Sequence, residues 1–119
     1  MEYQNRKYTL LGDIQASTFL MYLVDESNPE DYKLIYQKLS DKNQFCMIVV
    51  AIHDWQGELS PWAAPAIFGK HDFAGNASLL LSELERFWDW FQSDNQVETD
   101  RLYLCGYSLA GLFALWASC

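Results

Sequence analysis

The chain has 119 residues, enough for one domain with a sizeable core but few for a complete α/β enzyme. Half of the residues are hydrophobic and 16% are aromatic, which is typical of a globular protein and excludes a disordered one. The formal net charge of −8 argues against nucleic acid or an anionic membrane surface as a partner, because phosphates would be repelled.

The first half of the chain predicts three strands and one helix. Lys7–Leu11 is predicted as a strand because it carries Tyr8, Leu10 and Leu11. Thr18–Val24 is a nearly continuous apolar run, as expected for a strand covered on both faces. Pro29–Ser40 is predicted as a helix, because proline is favoured at the first helical position. Phe45–Ile52 is apolar and rich in β-branched residues, and it predicts the strongest strand of the sequence.

A long irregular segment, His53–Asn76, comes after the third strand. Loops longer than about 12–15 residues without regular structure are uncommon and tend to be functional. The segment also carries Trp55, Trp62 and Phe68, which are costly to leave in water, and we therefore expect it to fold over a pocket. The next helix is predicted over Ala77–Ser93, and its apolar stripe is assigned to core packing.

Strands that alternate with helices predict an α/β fold with a mostly parallel sheet and helices on both faces. In such a sheet the loops that come after the strands lie at one edge, where binding sites form. The loops Asp25–Asn28, His53–Gly57 and Gly106–Leu109 are therefore expected to share that edge.

The last part of the chain predicts a sharp strand-to-helix turn. Arg101–Cys105 is a short alternating apolar run, and Leu109–Ser118 has leucine and tryptophan at helical spacing. Between them, Gly106 allows the backbone to turn without a Cβ clash, and Ala110 allows the helix to pack closely on the strand. A serine held between such small residues is a nucleophile elbow, and the serine here is Ser108.

Two interpretations of this turn remain open. In the first, the turn lifts the Ser108 hydroxyl above the sheet edge, and the helix N-terminus beneath it favours developing negative charge. In the second, the turn is an ordinary connection and Ser108 only caps the helix. The first interpretation predicts a strained backbone at Ser108.

The residues of the turn also carry a resemblance to a known family. Gly106–Ala117 reads GYSLAGLFALWA, His53–Phe68 reads HDWQGELSPWAAPAIF, and Phe73–Leu84 is a weaker third piece. Together these segments resemble the N-terminal half of an α/β-hydrolase, in the esterase branch that includes esterase-D-like and siderophore-esterase-like proteins. The resemblance covers the chain from about Thr18 onward. It implies a partial α/β-hydrolase fold, with residues 1–119 forming a single incomplete domain.

The resemblance implies a serine hydrolase that cleaves a small carboxylic ester through an acyl-enzyme. The implied nucleophile is Ser108, and the N–H of Leu109 is the implied oxyanion donor. A second donor is expected from the loop at Asp25 or Glu26. The substrate pocket is expected to include Trp55, Trp62 and Tyr107.

The sequence departs from this family where the catalytic acid and base are concerned. The family order is serine, acid, histidine, but the residues after Ser108 are LAGLFALWASC, with neither an acid nor a histidine. The family's strand order puts one strand between the strand that ends before His53 and the elbow strand, so the ends of these two strands are about 10 Å apart. That distance exceeds the hydrogen-bond reach that a general base needs. The position of His71 stays open, although an ordinary loop histidine is favoured, and Asp54 and Asp72 are expected to cap turns.

We therefore expect a truncated chain whose acid and base lie outside it and which alone hydrolyses esters poorly. The alternatives are a non-catalytic α/β domain that binds a small apolar ligand or a partner, and a fragment without function. A sheet cut after the elbow helix would leave the elbow strand at an exposed edge, which favours self-association there.

The cysteines and the ends of the chain bear on the compartment. Cys46, Cys105 and Cys119 are odd in number and lack C-x-x-C spacing, and two of them lie in apolar runs where a thiol is a small hydrophobic side chain. No segment reaches membrane-spanning length, and the first residues lack the apolar core of a signal peptide. The sequence predicts a cytoplasmic protein with no metal, no cofactor and no membrane or nucleic-acid partner.

Overall fold

The structure, a computed structural model, describes residues 1–40, 44–60, 63–64, 73–74 and 76–118. These residues form a mixed α/β fold with a five-stranded sheet, a separate two-stranded sheet and four helices. The strands are β1 (Glu2–Tyr3), β2 (Arg6–Gly12), β3 (Phe19–Asp25), β4 (Cys46–Ile52), β5 (Ala63–Ala64), β6 (Phe73–Ala74) and β7 (Leu102–Gly106). The helices are α1 (Lys33–Ser40), α2 (Trp55–Leu59), α3 (Ala77–Asp94) and α4 (Leu109–Ala117).

The large sheet has the strand order β1-β2-β4-β3-β7 and is mixed in direction. β3 pairs in parallel with both β4 and β7, whereas β2 pairs antiparallel with both β1 and β4. The expectation of a mostly parallel sheet is therefore corrected for the N-terminal strands. Two parallel strands of one sheet need a crossover connection of about a dozen residues or more, and the connection 13–18 between β2 and β3 is too short for one. β2 and β3 therefore run in opposite directions, with β4 between them. The β1–β2 link is a two-residue turn with positive φ at Gln4 and Asn5, as a tight hairpin requires.

Helices cover both faces of the sheet, as predicted. On one face, alternate residues of β3 and β4 such as Met21 and Ile48 pack against α2, α3 and α4. On the other face, Tyr22 and Val49 belong to a smaller core, against which Tyr36 of α1 packs. The α3 stripe predicted as core is buried at four positions, namely Leu80, Leu84, Phe87 and Phe91.

Two element boundaries differ from the predictions for local reasons. The helix predicted over Pro29–Ser40 begins at Lys33, and a turn closed by the Lys33 N–H on the Glu30 carbonyl precedes it (3.2 Å). The segment His53–Asn76 was expected to be irregular, yet it contains α2. The Asp54 side chain accepts a hydrogen bond from the Gly57 N–H (3.2 Å) and starts that helix, which confirms the predicted capping role of Asp54.

β7 forms one edge of the described sheet. A groove of about 620 Å³ runs between β7 and α4, lined by uncharged residues that include Leu104 and Leu115. Tyr103 on this strand is 60% exposed. Among the described residues no helix is both long and apolar enough to cross a bilayer.

Candidate active site

The carboxyl ends of the three parallel strands meet at one edge of the sheet, as predicted for the three loops. Ile52 pairs with Asp25, and Leu23 pairs with Gly106, so the ends of β4, β3 and β7 lie side by side in that order. Because β2 runs antiparallel to β4, its first residue, Arg6, lies at the same edge. The edge therefore presents the elbow, the loop after β3, the start of the segment after β4, and Arg6.

Ser108 has the strained backbone that a nucleophile elbow requires. It lies between the end of β7 and the first residue of α4, with φ 58° and ψ −118°. A positive φ is uncommon for a residue with a side chain, and this conformation costs about 1–3 kcal/mol unless the surroundings enforce it. Ser108 is exposed, and its side chain makes no capping hydrogen bond. Ser108 is thus the N-cap residue of α4, but the side-chain cap that the second interpretation assigns to it is not formed.

Close packing between β7 and α4 explains how the chain enforces this conformation. A Cβ at Gly106 would overlap the Cβ of Ala110 and come within 3.2 Å of its carbonyl carbon. Ala110 is fully buried, and its N–H donates to the Tyr107 carbonyl (3.1 Å). The two small residues thus let the helix begin directly above the strand, so that the intervening residues must turn sharply, as predicted from their spacing.

Glycine at position 108 is expected to stabilise the fold. Glycine adopts positive φ without a steric penalty, so Ser108→Gly should remove the strain and raise the free energy of unfolding by about 1 kcal/mol. The matched control is Ser118→Gly, because Ser118 has an ordinary φ of −88° and should lose stability instead. Urea denaturation measures both changes. A loss of stability in Ser108→Gly would contradict a strained elbow.

The backbone N–H groups at the two expected oxyanion positions differ in the hydrogen bonds that they make. Leu109 is the first residue of α4, so its N–H has no acceptor within the helix and lies beside Ser108. In the loop after β3, by contrast, the Glu26 N–H donates to the Ile52 carbonyl (3.0 Å). Asp25 closes a turn through its carboxylate, which accepts the N–H of Ser27 (3.0 Å). The expected role of Glu26 as a backbone donor is corrected, because its N–H is already used to join β3 to β4.

His53 is held away from the elbow, as the strand order predicts. β3 lies between β4 and β7, which separates the ends of those strands by about 10 Å. The Nδ1 atom of His53 contacts the Glu26 carboxylate (2.5 Å), and its Nε2 donates to the Asn5 carbonyl (3.1 Å) on the β2 side. A histidine oriented by a carboxylate is the usual form of a general base, but this one has its second nitrogen directed away from Ser108.

The aromatic residues expected at the pocket are only partly described. Trp55, the first residue of α2, is half-buried and packs against the main core, in agreement with the expected position at the sheet edge. The same partial burial also fits simple closure of the core. Tyr107 is 71% exposed beside the elbow. Trp62 and His71, together with Asp72 and Cys119, lie outside the described residues.

A network of charged groups centred on Arg6 was missed by the sequence analysis. The Arg6 guanidinium donates to Glu58 of α2 (2.5 Å), to Glu83 of α3 (2.8 Å) and to the Ala51 carbonyl (3.0 Å). The second oxygen of Glu58 accepts the N–H groups of His53 and Asp54 (both 3.0 Å). Glu58 thereby joins the hairpin, the end of β4 and the start of α2 at the carboxyl edge.

The network shifts the pKa of its own members. Burial alone would raise the pKa of the Glu58 carboxyl, but the hydrogen bonds from Arg6 and the backbone, with the charge of Arg6, outweigh it and lower the pKa. For Arg6, burial acts to lower the pKa, and the two carboxylates overcome it, so the pKa is raised. Burial raises the pKa of the Cys105 thiol, on the elbow strand, to about 11, so this thiol is not a reactive nucleophile at neutral pH.

Comparison with known proteins adds no assignment. No protein-family model matches the chain, and no curated protein and no solved structure matches it significantly. A function must therefore be inferred from the residues of the chain itself.

Proposed function

We propose that Ser108 is the nucleophile of an acyl-transfer site, of the kind that hydrolyses a small carboxylic ester. The observation that carries the proposal is the positive φ of an exposed serine between a strand and a helix. Backbone strain of this kind persists at functional sites, where it presents a reactive group. In this reaction the Ser108 Oγ attacks the acyl carbon, the alcohol leaves with a proton, and water later hydrolyses the acyl-enzyme.

The surroundings of Ser108 support an oxyanion site more than they support a base. The N–H of Leu109 and the N-terminus of α4 favour negative charge on the attacked carbonyl oxygen. Among the described residues His53 is the one histidine, and its hydrogen bonds hold it away from Ser108. We propose that the base is supplied from outside the described residues.

We further propose that the fold is part of an α/β-hydrolase. The strand order fits the expectation that one strand separates β4 from the elbow strand, and helices cover both faces. We also propose that the protein is cytoplasmic.

Self-association through β7 is a further proposal, supported by the uncharged groove beside that strand. Sedimentation at increasing protein concentration tests it.

Ester turnover by the chain is expected to be slow and to become dependent on Ser108 when a base is added. A serine hydroxyl without a base is a weak nucleophile at neutral pH, so p-nitrophenyl acetate should be hydrolysed at nearly the rate seen with Ser108→Ala. Added imidazole should then increase acetylation of the natural chain by about tenfold over Ser108→Ala, measured by intact mass.

Two other results of this assay are informative. If Ser108-dependent turnover is rapid without imidazole, the chain contains its own base, and His71 is the first residue to replace. If acetylation never depends on Ser108, with or without imidazole, the proposed nucleophile is wrong.

A second candidate function is binding of a small ligand without catalysis. It is favoured by a cavity that lies on the other side of His53 from the elbow and is lined by Arg6 and Glu58 among others.

A further inference from the structure

The structure contains a cavity of about 310 Å³ between the β1–β2 turn and helices α2 and α3. Its floor is apolar and tightly packed, since Tyr8, Leu84 and Phe87 are each more than nine-tenths buried. Tyr3 forms an aromatic wall, and its ring stacks on Trp90 (centroids 4.6 Å apart), which fixes its orientation. The volume suits one small molecule with a single aromatic or aliphatic ring.

The polar wall of this cavity carries an excess of negative charge. Arg6, Glu58 and Glu83 line it, so one guanidinium is shared by two carboxylates. At the rim the His53 ring contacts the Glu26 carboxylate (2.5 Å), so this histidine is paired with an acidic side chain. Arg6 is mostly buried, whereas the Glu83 side chain is 37% exposed and is therefore the carboxylate that a ligand can reach.

We propose that this cavity binds a small organic cation, an ammonium group attached to an apolar ring or chain. The ammonium would lie at Glu83, and the apolar part would pack against Tyr3, Tyr8 and Phe87. Carboxylates give an ammonium its charge complement, and aromatic rings attract cations through their faces. The net charge of −8 on the chain adds a long-range attraction for cations. The proposal is independent of the function proposed for Ser108, because a different part of the sheet edge carries it.

Benzylammonium is a suitable probe, with benzyl alcohol as a neutral compound of nearly the same shape. NMR titration of the natural chain should show shifts of the Tyr3, Tyr8 and Phe87 ring protons with benzylammonium. The alcohol should bind at least about tenfold more weakly, because it lacks the charge. Raising the salt concentration from about 50 to about 500 mM should weaken binding of the amine and not of the alcohol.

Glu83→Gln tests the assigned carboxylate. The amide oxygen of glutamine can still accept a hydrogen bond from Arg6, so the fold should persist while the charge is lost. Benzylammonium binding should weaken by about tenfold in Glu83→Gln and stay within about twofold in Glu85→Gln, an exposed site on the same helix. Equal binding of amine and alcohol, an unchanged affinity in Glu83→Gln, or no ring shifts would each overturn the proposal. If Glu83→Gln does not fold, the comparison of amine with alcohol and its salt dependence in the natural chain decide the question.

Discussion

Replacing Arg6 by methionine is expected to lower the free energy of unfolding at pH 7 by about 2–3 kcal/mol. Methionine keeps the apolar stem but removes the cation that Glu58 and Glu83 share. The cost comes mainly from Glu58, which would remain largely buried without its charged partner. Glu83 contributes little, because its exposed carboxylate is screened by water.

The destabilisation in Arg6→Met should shrink as the pH falls. In the natural chain folding lowers the pKa of Glu58, so the ionised carboxylate stabilises the fold. This stabilisation is fully present above the unfolded pKa of about 4.3, and it is lost as the pH falls through the lower pKa of the folded chain. In Arg6→Met, protonation of Glu58 at low pH instead removes the cost of a buried carboxylate without a charged partner, so the difference in stability between the two chains becomes smaller. Urea denaturation at neutral and acidic pH measures the two chains side by side.

Two further variants separate the network from general surface effects. Lys7→Met removes an exposed cation next to Arg6 in sequence and should change stability by no more than about 0.5 kcal/mol. The double variant Arg6→Met with Glu58→Gln should recover part of the loss, because it removes the isolated charge. An Arg6→Met chain as stable as the natural one would show that the network does not hold the hairpin to the helices.

Local patterns predicted the elbow well because they contain its causes. The glycine and alanine around Ser108 determine how closely α4 approaches β7, and that approach imposes the positive φ. The apolar runs of β3 and β4 and the stripe of α3 were also predictable, since burial acts on consecutive or regularly spaced residues. These features need no knowledge of which strand pairs with which.

The parts that were missed depend on pairing over long sequence distances. Arg6 meets Glu83 only because the hairpin runs antiparallel to β4, and nothing local indicates that direction. The use of the Glu26 N–H to join β3 to β4 likewise depends on their register. The one available signal was the short connection 13–18, which already excluded a parallel crossover between β2 and β3.

Covalent labelling of Ser108 is the second large effect that we expect. An alkyl fluorophosphonate should form one adduct, in which the Ser108 Oγ bonds to phosphorus, fluoride leaves, and the hydroxyl proton passes to the buffer. An alkaline buffer at about pH 9 supplies the base that the described residues do not bring to Ser108, so labelling is expected to be slow but selective. The Leu109 N–H should stabilise the oxygen on phosphorus as it would an acyl oxyanion.

Peptide mass spectrometry of the labelled chain is the most direct measurement of whether Ser108 is a presented nucleophile. We predict an adduct confined to Ser108, lost in Ser108→Ala and unchanged in Ser118→Ala, which removes an exposed serine at the other end of the same helix. An adduct spread evenly over the exposed serines, or one that persists in Ser108→Ala, would contradict the account.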